Sequence, residues 1–215
     1  MKKIYLIRHA QSESNAGLAL RPNHEINLTE FGNTQAVALA DWLNENICKI
    51  DGVFISAYAR THQTALPFLQ KTGMTAQILD DLHEFNYLDF ERIKNMELGE
   101  LRQLAEDFLT QGNDYQDSDL TDSFDNFIGR VKNVRQAFDV LPNGIYIVFT
   151  HGMWIGMLMW QLLHGESSRV NNMTKFREFE LAIRPKNCEV FLLENGGIQK
   201  VRVRADSDNN PYERY

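Results

Sequence analysis

The chain has 215 residues, of which 43% are hydrophobic and 24% are charged, and its formal net charge is -7 at pH 7. This length and composition favour one domain with a modest insertion, and they argue against two independent domains or general disorder. The negative charge argues against a nucleic-acid-binding protein, which needs a basic face. A small anion can still be bound by a local cluster of Arg, His and backbone N–H groups.

The cysteines and the N-terminal residues favour a cytoplasmic protein. Cys48 and Cys188 are the only cysteines, and we expect them in a helix and in a strand as buried thiols rather than in a disulfide. The apolar stretch at residues 4–7 is too short for a signal peptide. No apolar run approaches the length of a membrane span.

The first predicted elements are a strand and a helix. Residues 4–7 form an apolar run that ends at the polar Arg8 and His9, which is typical of a buried strand in a parallel sheet. Thr29 is a suitable N-cap for the next element. A helix there is indicated by apolar residues at helical spacing, namely Ala36, Leu39, Ala40, Leu43 and Ile47.

Two further junctions between a strand and a helix follow. Residues 53–55 form a short strand that leads through Ser56 into a helical stretch carrying Arg60. The most apolar run, at residues 145–149, ends near His151 and continues directly into an amphipathic stretch. In each case we expect polar side chains where the strand meets the helix.

The order of these elements predicts the fold class. A long helix before the third strand is indicated by the spacing of Phe124, Phe127, Ile128, Val131, Val134 and Phe138. Strands separated by helices predict a three-layer α/β fold, in which helices cover both faces of a mostly parallel, mixed sheet.

Two regions depart from this pattern. Residues 85–122 are acidic and polar around one helical stretch at 98–109, and we expect them to form a small inserted cap over the strand ends. In the tail, residues 178–203 contain strand-like stretches at 180–183, 190–193 and 198–201. They lie around the turn-forming residues Asn187 and 195–197, which predicts a terminal hairpin. Residues 206–215 are expected to be a loose terminus.

The ends of the predicted strands bring together a candidate anion site. Ligands of open α/β sheets bind beyond the carboxyl ends of the strands, and here those ends supply Arg8, His9, Arg60 and His151. Two guanidiniums and two imidazoles can neutralise a phosphate dianion, with one imidazole free to attack phosphorus. Gly152 begins a helix, whose first N–H groups would add to the attraction.

The sequence resembles the histidine phosphatase, or phosphoglycerate mutase-like, superfamily over nearly its whole length. The similar segments, in the family's order, are residues 6–12 with Asn15, 28–32 with Gln35 and Ala36, 56–60 with 63–65, 82–85, 122–124 with Arg130 and Val131, and 150–152. Two segments depart from the family pattern, because Ala10 replaces the usual Gly and residues 57–58 replace the commoner Pro-Leu. All four central Arg and His positions are present.

The resemblance implies a role for each central residue. His9 would be the nucleophile, and Arg8, Arg60 and His151 would stabilise charge on the phosphoryl oxygens. Glu84 would be the general acid, a role that the resemblance alone selects because its neighbours are also acidic. No metal or other cofactor is expected, and no close His or Cys spacing supports a zinc site.

Other residues are candidates for substrate binding. Asn15 is either a phosphate ligand or a turn former, and its offset from His9 favours the first. Arg21 and Tyr87 could contact the leaving group, as could His24, Phe85 and Arg92, but their positions alone are weak support.

The sequence therefore predicts a phosphate-monoester hydrolase that acts through a phosphohistidine on a small phosphorylated metabolite. A phosphoglycerate mutase and a non-catalytic phospho-ligand binder are the alternatives. Residues 16–22 and 85–89 lack the patterns that follow Asn15 and Glu84 in mutases, which favours the hydrolase. Retention of Glu84 argues against the binder.

Overall fold

A single six-stranded sheet lies at the centre of the computed structural model, which describes residues 1–18, 20–165 and 172–203. Its strands are β1 (Lys3–Arg8), β2 (Gly52–Ile55), β3 (Gln77–Ile78), β4 (Ile145–Thr150), β5 (Val190–Glu194) and β6 (Gly197–Val201). They lie in the order β3-β2-β4-β1-β5-β6. The first four are mutually parallel, whereas β5 is antiparallel to both β1 and β6.

Helices cover both faces of this sheet. They are α1 (Glu30–Asn46), α2 (Ala59–Thr72), α3 (Phe90–Ile93), α4 (Leu98–Leu109), α5 (Phe124–Val140), α6 (Gly152–His164) and α7 (Met173–Ile183). Thr29 caps α1 as expected, because its hydroxyl accepts the N–H of Gly32. None of these helices is long and apolar enough to cross a membrane.

Alternation along the strands divides the core into two layers. Ile147 and Phe149 of β4 pack with α1 and α2, whereas Tyr146 and Val148 pack with α5 and α6. Successive residues of a strand point to opposite faces, so a fully apolar strand such as β4 has to be buried on both sides. The predicted three-layer α/β fold with a mostly parallel, mixed sheet is confirmed.

The tail forms the predicted hairpin, with one difference. Strands β5 and β6 are joined by Asn195 and Gly196, both at positive φ, which suits a two-residue hairpin turn. The stretch at 180–183 lies outside the hairpin, because it is the last turn of α7. Residues 206–215 lie outside the described residues.

The predicted elements and burial of the two cysteines were wrong. Cys48 follows the end of α1 and is exposed, and Cys188 is a half-buried residue at φ 60° just before β5. The thiols are unpaired. Apolar periodicity does not fix the last residue of a helix, which is why Cys48 falls just beyond α1.

The polar segment at residues 85–122 contains α3 and α4 and lies between β3 and α5. Its two ends meet, because the N–H of Asp122 donates to the carbonyl of Asn86 at 2.7 Å and the N–H of Asn86 donates to the Asp122 carboxylate at 3.0 Å. The segment therefore leaves and rejoins the chain at nearly one point.

Candidate active site

Three neighbouring parallel strands deliver the candidate residues to one edge of the sheet. In the order β2-β4-β1, their carboxyl ends lead to Arg60, His151 and His9. Main-chain bonds continue across these ends, from the N–H of His9 to Thr150 at 3.0 Å and from the N–H of Ser56 to Phe149 at 3.1 Å. The sheet register therefore fixes where each side chain starts.

The hydrogen bonds of His9 define its tautomer. Its Nδ1 lies 2.7 Å from the carbonyl oxygen of Ala10, which can only accept, so Nδ1 carries the proton. On the other side, Arg60 Nε donates to His9 Nε2 at 3.2 Å. Nε2 therefore carries no proton, and its lone pair points toward Arg60.

The surroundings of His9 keep its ring neutral. The residue is only 4% exposed. Burial lowers its pKa well below the usual range, and the neighbouring guanidiniums of Arg60 and Arg8 lower it further. The loop around the ring is held by Thr64, whose hydroxyl accepts the N–H of Ala10 at 3.0 Å, and by Asn187, whose amide donates to the His9 carbonyl at 2.9 Å.

Arg60 lies in the first turn of α2 and is 4% exposed. Besides its bond to His9, it donates from Nη1 to the Asn23 carbonyl at 2.5 Å and from Nη2 to Asn23 Oδ1 at 3.1 Å. Its guanidinium also lies 5.0 Å from the ring centre of Tyr58. Burial lowers its pKa to about 10, so it stays charged at neutral pH.

Arg8 is held at the end of β1 by the carbonyl of Pro185, to which its Nη1 donates at 2.5 Å. Its Nε is buried and has no hydrogen-bond partner among the described residues. The absence of a side chain at Gly152 gives Arg8 its space, because a Cβ there would lie 3.3 Å from Arg8 Nε. Gly152 thus lies against the guanidinium.

His151 is fully buried, and Ser56 accounts for its tautomer. The Ser56 hydroxyl oxygen accepts the N–H of Tyr58 at 3.3 Å and lies 2.9 Å from His151 Nε2. We assign the hydroxyl proton to the bond with Nε2, which places the ring proton on Nδ1. That Nδ1 is buried without a partner in the described part of the chain.

The pKa of His151 is lowered well below the usual range, chiefly by burial and then by Arg60. Its ring centre lies 5.3 Å from that of His9. Buried N–H groups are normally hydrogen-bonded. The orphaned nitrogens on Arg8 and His151, both near His9, are therefore what a site for an anionic ligand would contain.

The Glu84 carboxylate lies against the N-terminal end of α6. Its carboxylate accepts the N–H groups of Phe85, Met153 and Trp154, each at 3.1 Å. These bonds and Arg60 favour the ionised form, but burial has the larger effect and raises the pKa of the carboxyl group. The amides of Met153 and Trp154 are thus engaged by Glu84 rather than open to a ligand.

Several donors hold the main chain around Glu84 in place. The Arg130 guanidinium donates to the carbonyls of Asp81 and His83 at 3.2 and 2.9 Å, and it forms an ion pair with Asp122 at 2.7 Å. Thr150 donates to the Leu82 carbonyl at 2.8 Å. The similar segments at 122–124 and 130–131 are thereby explained, because they anchor the segment that carries Glu84.

The candidate substrate-binding residues are less uniform. Asn15 is exposed, and its amide oxygen accepts from Ser12 and from Asn187 at 3.2 and 3.0 Å. Arg21 is half-exposed and forms an ion pair with Glu13 at 2.8 Å. Asn15 therefore lies on the loop that carries His9, and Arg21 is engaged elsewhere in this conformation.

The aromatic candidates pack in a cluster of rings, and the two remaining charged candidates form ion pairs. Tyr87 packs between the rings of Phe85 and Phe108, at 5.1 and 5.0 Å. Phe85 itself is buried against Phe127, with ring centres 4.7 Å apart. His24 pairs with Glu25, and Arg92 with Asp117.

Sequence reasoning missed Asn23, Ser56 as the partner of His151, and Asn187. Each reaches the site through a contact across at least 37 positions of the chain. The only sequence signal was that Asn187 stood out as a turn former. No group of three or more His, Cys, Asp or Glu residues suited to a metal occurs in the described ranges.

The fold and the site define an α/β protein with a largely buried cluster of two Arg and two His side chains at a sheet edge. A profile of the histidine phosphatase superfamily (branch 1) matches residues 4–195. The chain therefore belongs to the histidine phosphatase superfamily.

Individual relatives agree with this assignment. The chain is 29% identical over 155 residues to a protein of Schizosaccharomyces pombe described as a probable phosphatase, covering 70% of this chain and 73% of that protein. It is 27% identical over 177 residues to a protein of Erwinia tasmaniensis described as a probable phosphoglycerate mutase, with coverage of 76% and 75%. The fold matches the alpha-ribazole phosphatase of Shigella flexneri with a TM-score of 0.70, at 20% identity over 94% of this chain and 96% of that one.

Proposed function

We propose that the protein is a phosphate-monoester hydrolase that acts on a small phosphorylated metabolite through a phosphohistidine on His9. The observation that carries the proposal is the tautomer of His9. Its Nδ1–H donates to the Ala10 carbonyl, and its Nε2 lone pair accepts from Arg60 Nε. A neutral imidazole with a fixed lone pair beside two guanidiniums is suited to attack a bound phosphate.

Phosphate binding is assigned to the donors around His9. Arg8 Nε and His151 Nδ1 are orphaned donors that a phosphoryl oxygen would satisfy, and Arg60 adds a charge beside the attacking nitrogen. Asn15 can add its side-chain N–H groups, because the bonds to its amide group described above use the oxygen. These groups stabilise the charge on the equatorial oxygens during phosphoryl transfer.

The first chemical step forms a bond from His9 Nε2 to phosphorus and breaks the bond from phosphorus to the ester oxygen. The departing oxygen takes the proton of Glu84, and the product leaves as an alcohol. In the second step water attacks phosphorus and gives its proton to the Glu84 carboxylate, and the electron pair of the N–P bond returns to Nε2. The cycle ends with inorganic phosphate and the starting protonation states.

We assign residues 85–122 the role of a cap over this site. The contact between Asn86 and Asp122 closes the segment at its base, and Glu84 lies immediately before it. A movement of the segment would therefore pivot next to the acid.

A cytoplasmic location also remains a prediction, supported by the unpaired thiols of Cys48 and Cys188.

The rate should have a bell-shaped dependence on pH, because the mechanism needs one deprotonated and one protonated group. His9 has to be neutral, and because its pKa is lowered, kcat/KM should fall only when the pH drops through that lowered value. Glu84 has to be protonated, and because its pKa is raised, kcat/KM should fall as the pH rises through that value. The measurement is kcat/KM against pH on an alkyl phosphate.

A matched profile of Glu84→Gln separates this effect from ionisation of the substrate, whose phosphate has a second pKa of about 6. The alkaline limb due to the enzyme should disappear in this variant, and the substrate's own limb should remain. An unchanged alkaline limb would show that Glu84 does not supply the proton.

Water, not a second phosphorylated acid, is proposed as the acceptor. Residues 16–22 and 85–89 lack the mutase patterns, so no group is assigned to hold an acceptor hydroxyl in line with the phosphohistidine. The test is incubation with 3-phosphoglycerate and catalytic 2,3-bisphosphoglycerate, while isomerisation and free phosphate are both measured. We expect phosphate release to exceed isomerisation, and efficient isomerisation with negligible phosphate would contradict the hydrolase.

A further inference from the structure

Helix α7 brings a second group of charges to the candidate site, which the phosphoryl chemistry does not use. Glu180 is 2% exposed, and its carboxylate is paired with Arg177 and, at 3.5 Å, with Arg184 Nε. A buried carboxylate is costly unless it is paired. Glu180 therefore fixes the positions of two guanidiniums, which themselves remain partly exposed, at 29% and 45% of their side-chain surface.

Helix α6 shows that this group lies beside Arg8. Gly152 faces Arg8, since a Cβ there would meet Arg8 Nε at 3.3 Å. Gly156 faces Glu180, since a Cβ there would meet Glu180 Cγ at 3.4 Å. Residues four apart lie on the same face of a helix, so Arg8 and Glu180 lie next to each other along one face of α6.

The main chain gives the same result independently. Arg184 immediately precedes Pro185, whose carbonyl accepts the hydrogen bond from Arg8 at 2.5 Å. Arg184 uses Nε for its pair with Glu180. The terminal nitrogens of Arg184 thus start from a backbone position adjacent to the phosphate-binding guanidinium.

The charged groups around the site leave a net positive charge that the phosphate of a substrate does not neutralise. When Glu84 carries its proton, the guanidiniums of Arg8, Arg60, Arg177 and Arg184 face the single negative charge of Glu180. Glu189, which also lies near Arg8, is paired with Lys200. A phosphate-monoester dianion balances all but one of the remaining positive charges.

Tyr87 lies within electrostatic range of both Glu84 and the charged residues of α7 and its C-terminal end. The charges of Glu84, Arg177, Glu180 and Arg184 all act on its hydroxyl, whose pKa is raised mainly by burial. Because Glu84 would protonate the departing oxygen, the leaving group has to lie next to the same residues.

We infer that Arg177 and Arg184, held by Glu180, form a subsite for a carboxylate on the leaving group, so that the preferred substrates are phosphate monoesters of carboxylate-bearing alcohols. This inference rests on the proposed hydrolase function and specifies its substrate class. Guanidiniums bind carboxylates through charge-assisted, often bidentate, hydrogen bonds.

The test compares two substrates that differ only in the carboxylate, O-phospho-L-serine and O-phosphoethanolamine. We expect the wild-type protein to favour phosphoserine in kcat/KM by about tenfold or more, the range of one or two charge-assisted hydrogen bonds. Arg184→Gln and Arg177→Gln should each reduce this ratio through a higher KM for phosphoserine, with little change on phosphoethanolamine. Arg102→Gln, at an exposed position of α4, is the matched control and should keep the wild-type ratio.

p-Nitrophenyl phosphate, which lacks a carboxylate, serves as the reference for folding and for phosphoryl transfer. Its turnover should be similar in all four proteins. A wild-type ratio near one, or a ratio that neither variant changes, would overturn the carboxylate subsite while turnover of p-nitrophenyl phosphate still supports the hydrolase. Failure to hydrolyse any of the three esters would instead overturn the proposed function.

Discussion

The His9→Ala protein is expected to form no phosphoenzyme and to lose turnover by roughly 10⁴-fold or more, as in other enzymes that lose a nucleophile. The physical reason is that Nε2 is the attacking atom, oriented by the bond from Nδ1 to Ala10 and by Arg60. In the parent protein, mass spectrometry after a rapid alkaline quench should detect an acid-labile, base-stable phosphoryl group on His9.

His62→Ala is the matched control for this experiment. His62 lies on α2, two residues beyond Arg60, and is partly buried, but it has no role in the proposed mechanism. This variant should keep both the adduct and the activity. If His9→Ala hydrolysed substrate at the parent rate, or if the phosphoryl group mapped to another residue, the nucleophile assignment would be wrong.

Glu84→Gln should be slowed by about 10²- to 10⁴-fold on alkyl phosphates, the usual contribution of general acid catalysis. An alkoxide is a poor leaving group and needs the proton, whereas p-nitrophenolate departs without one. The loss on p-nitrophenyl phosphate should therefore be much smaller. The measurement is the ratio of kcat/KM on the two ester types in the parent and in the variant.

Glu91→Gln, at an exposed position on α3, provides the control and should leave both ester types unaffected. Equal losses of Glu84→Gln on both esters would point to a positioning role instead of proton transfer. Such a role is a real alternative, since the Glu84 carboxylate accepts N–H groups from Met153 and Trp154.

The polar residues at the strand ends could be predicted from the sequence, because each set directly follows an apolar run. An apolar run such as residues 145–149 has to be buried, and its first polar residues have to lie at the sheet edge. Parallel strands share that edge, so His9 and His151 were expected at the same edge if both runs were strands of one sheet. The neighbouring order of β1, β4 and β2 was not predictable from the runs alone.

The supporting contacts could not be predicted, because they join loops that are far apart in the sequence. Asn23 reaches Arg60, and Asn187 reaches His9 across 178 positions. A single asparagine in a loop has no periodicity and is usually a turn former. Glu84 needed the family resemblance for the same reason, since its contact with α6 depends on how two segments pack.

The contact of Glu84 with α6 links the proposed acid to His151. His151 immediately precedes this helix, and the first amides of the same helix hold the Glu84 carboxylate. Glu84 and His151 are therefore held at the same end of one helix, by contacts in which residues 86–121 take no part. With the proposed cap role, we expect substitutions, insertions or deletions in residues 86–121 to change which alcohol is accepted while Glu84 stays beside His151, so that substrate choice and bond cleavage can diverge separately during evolution.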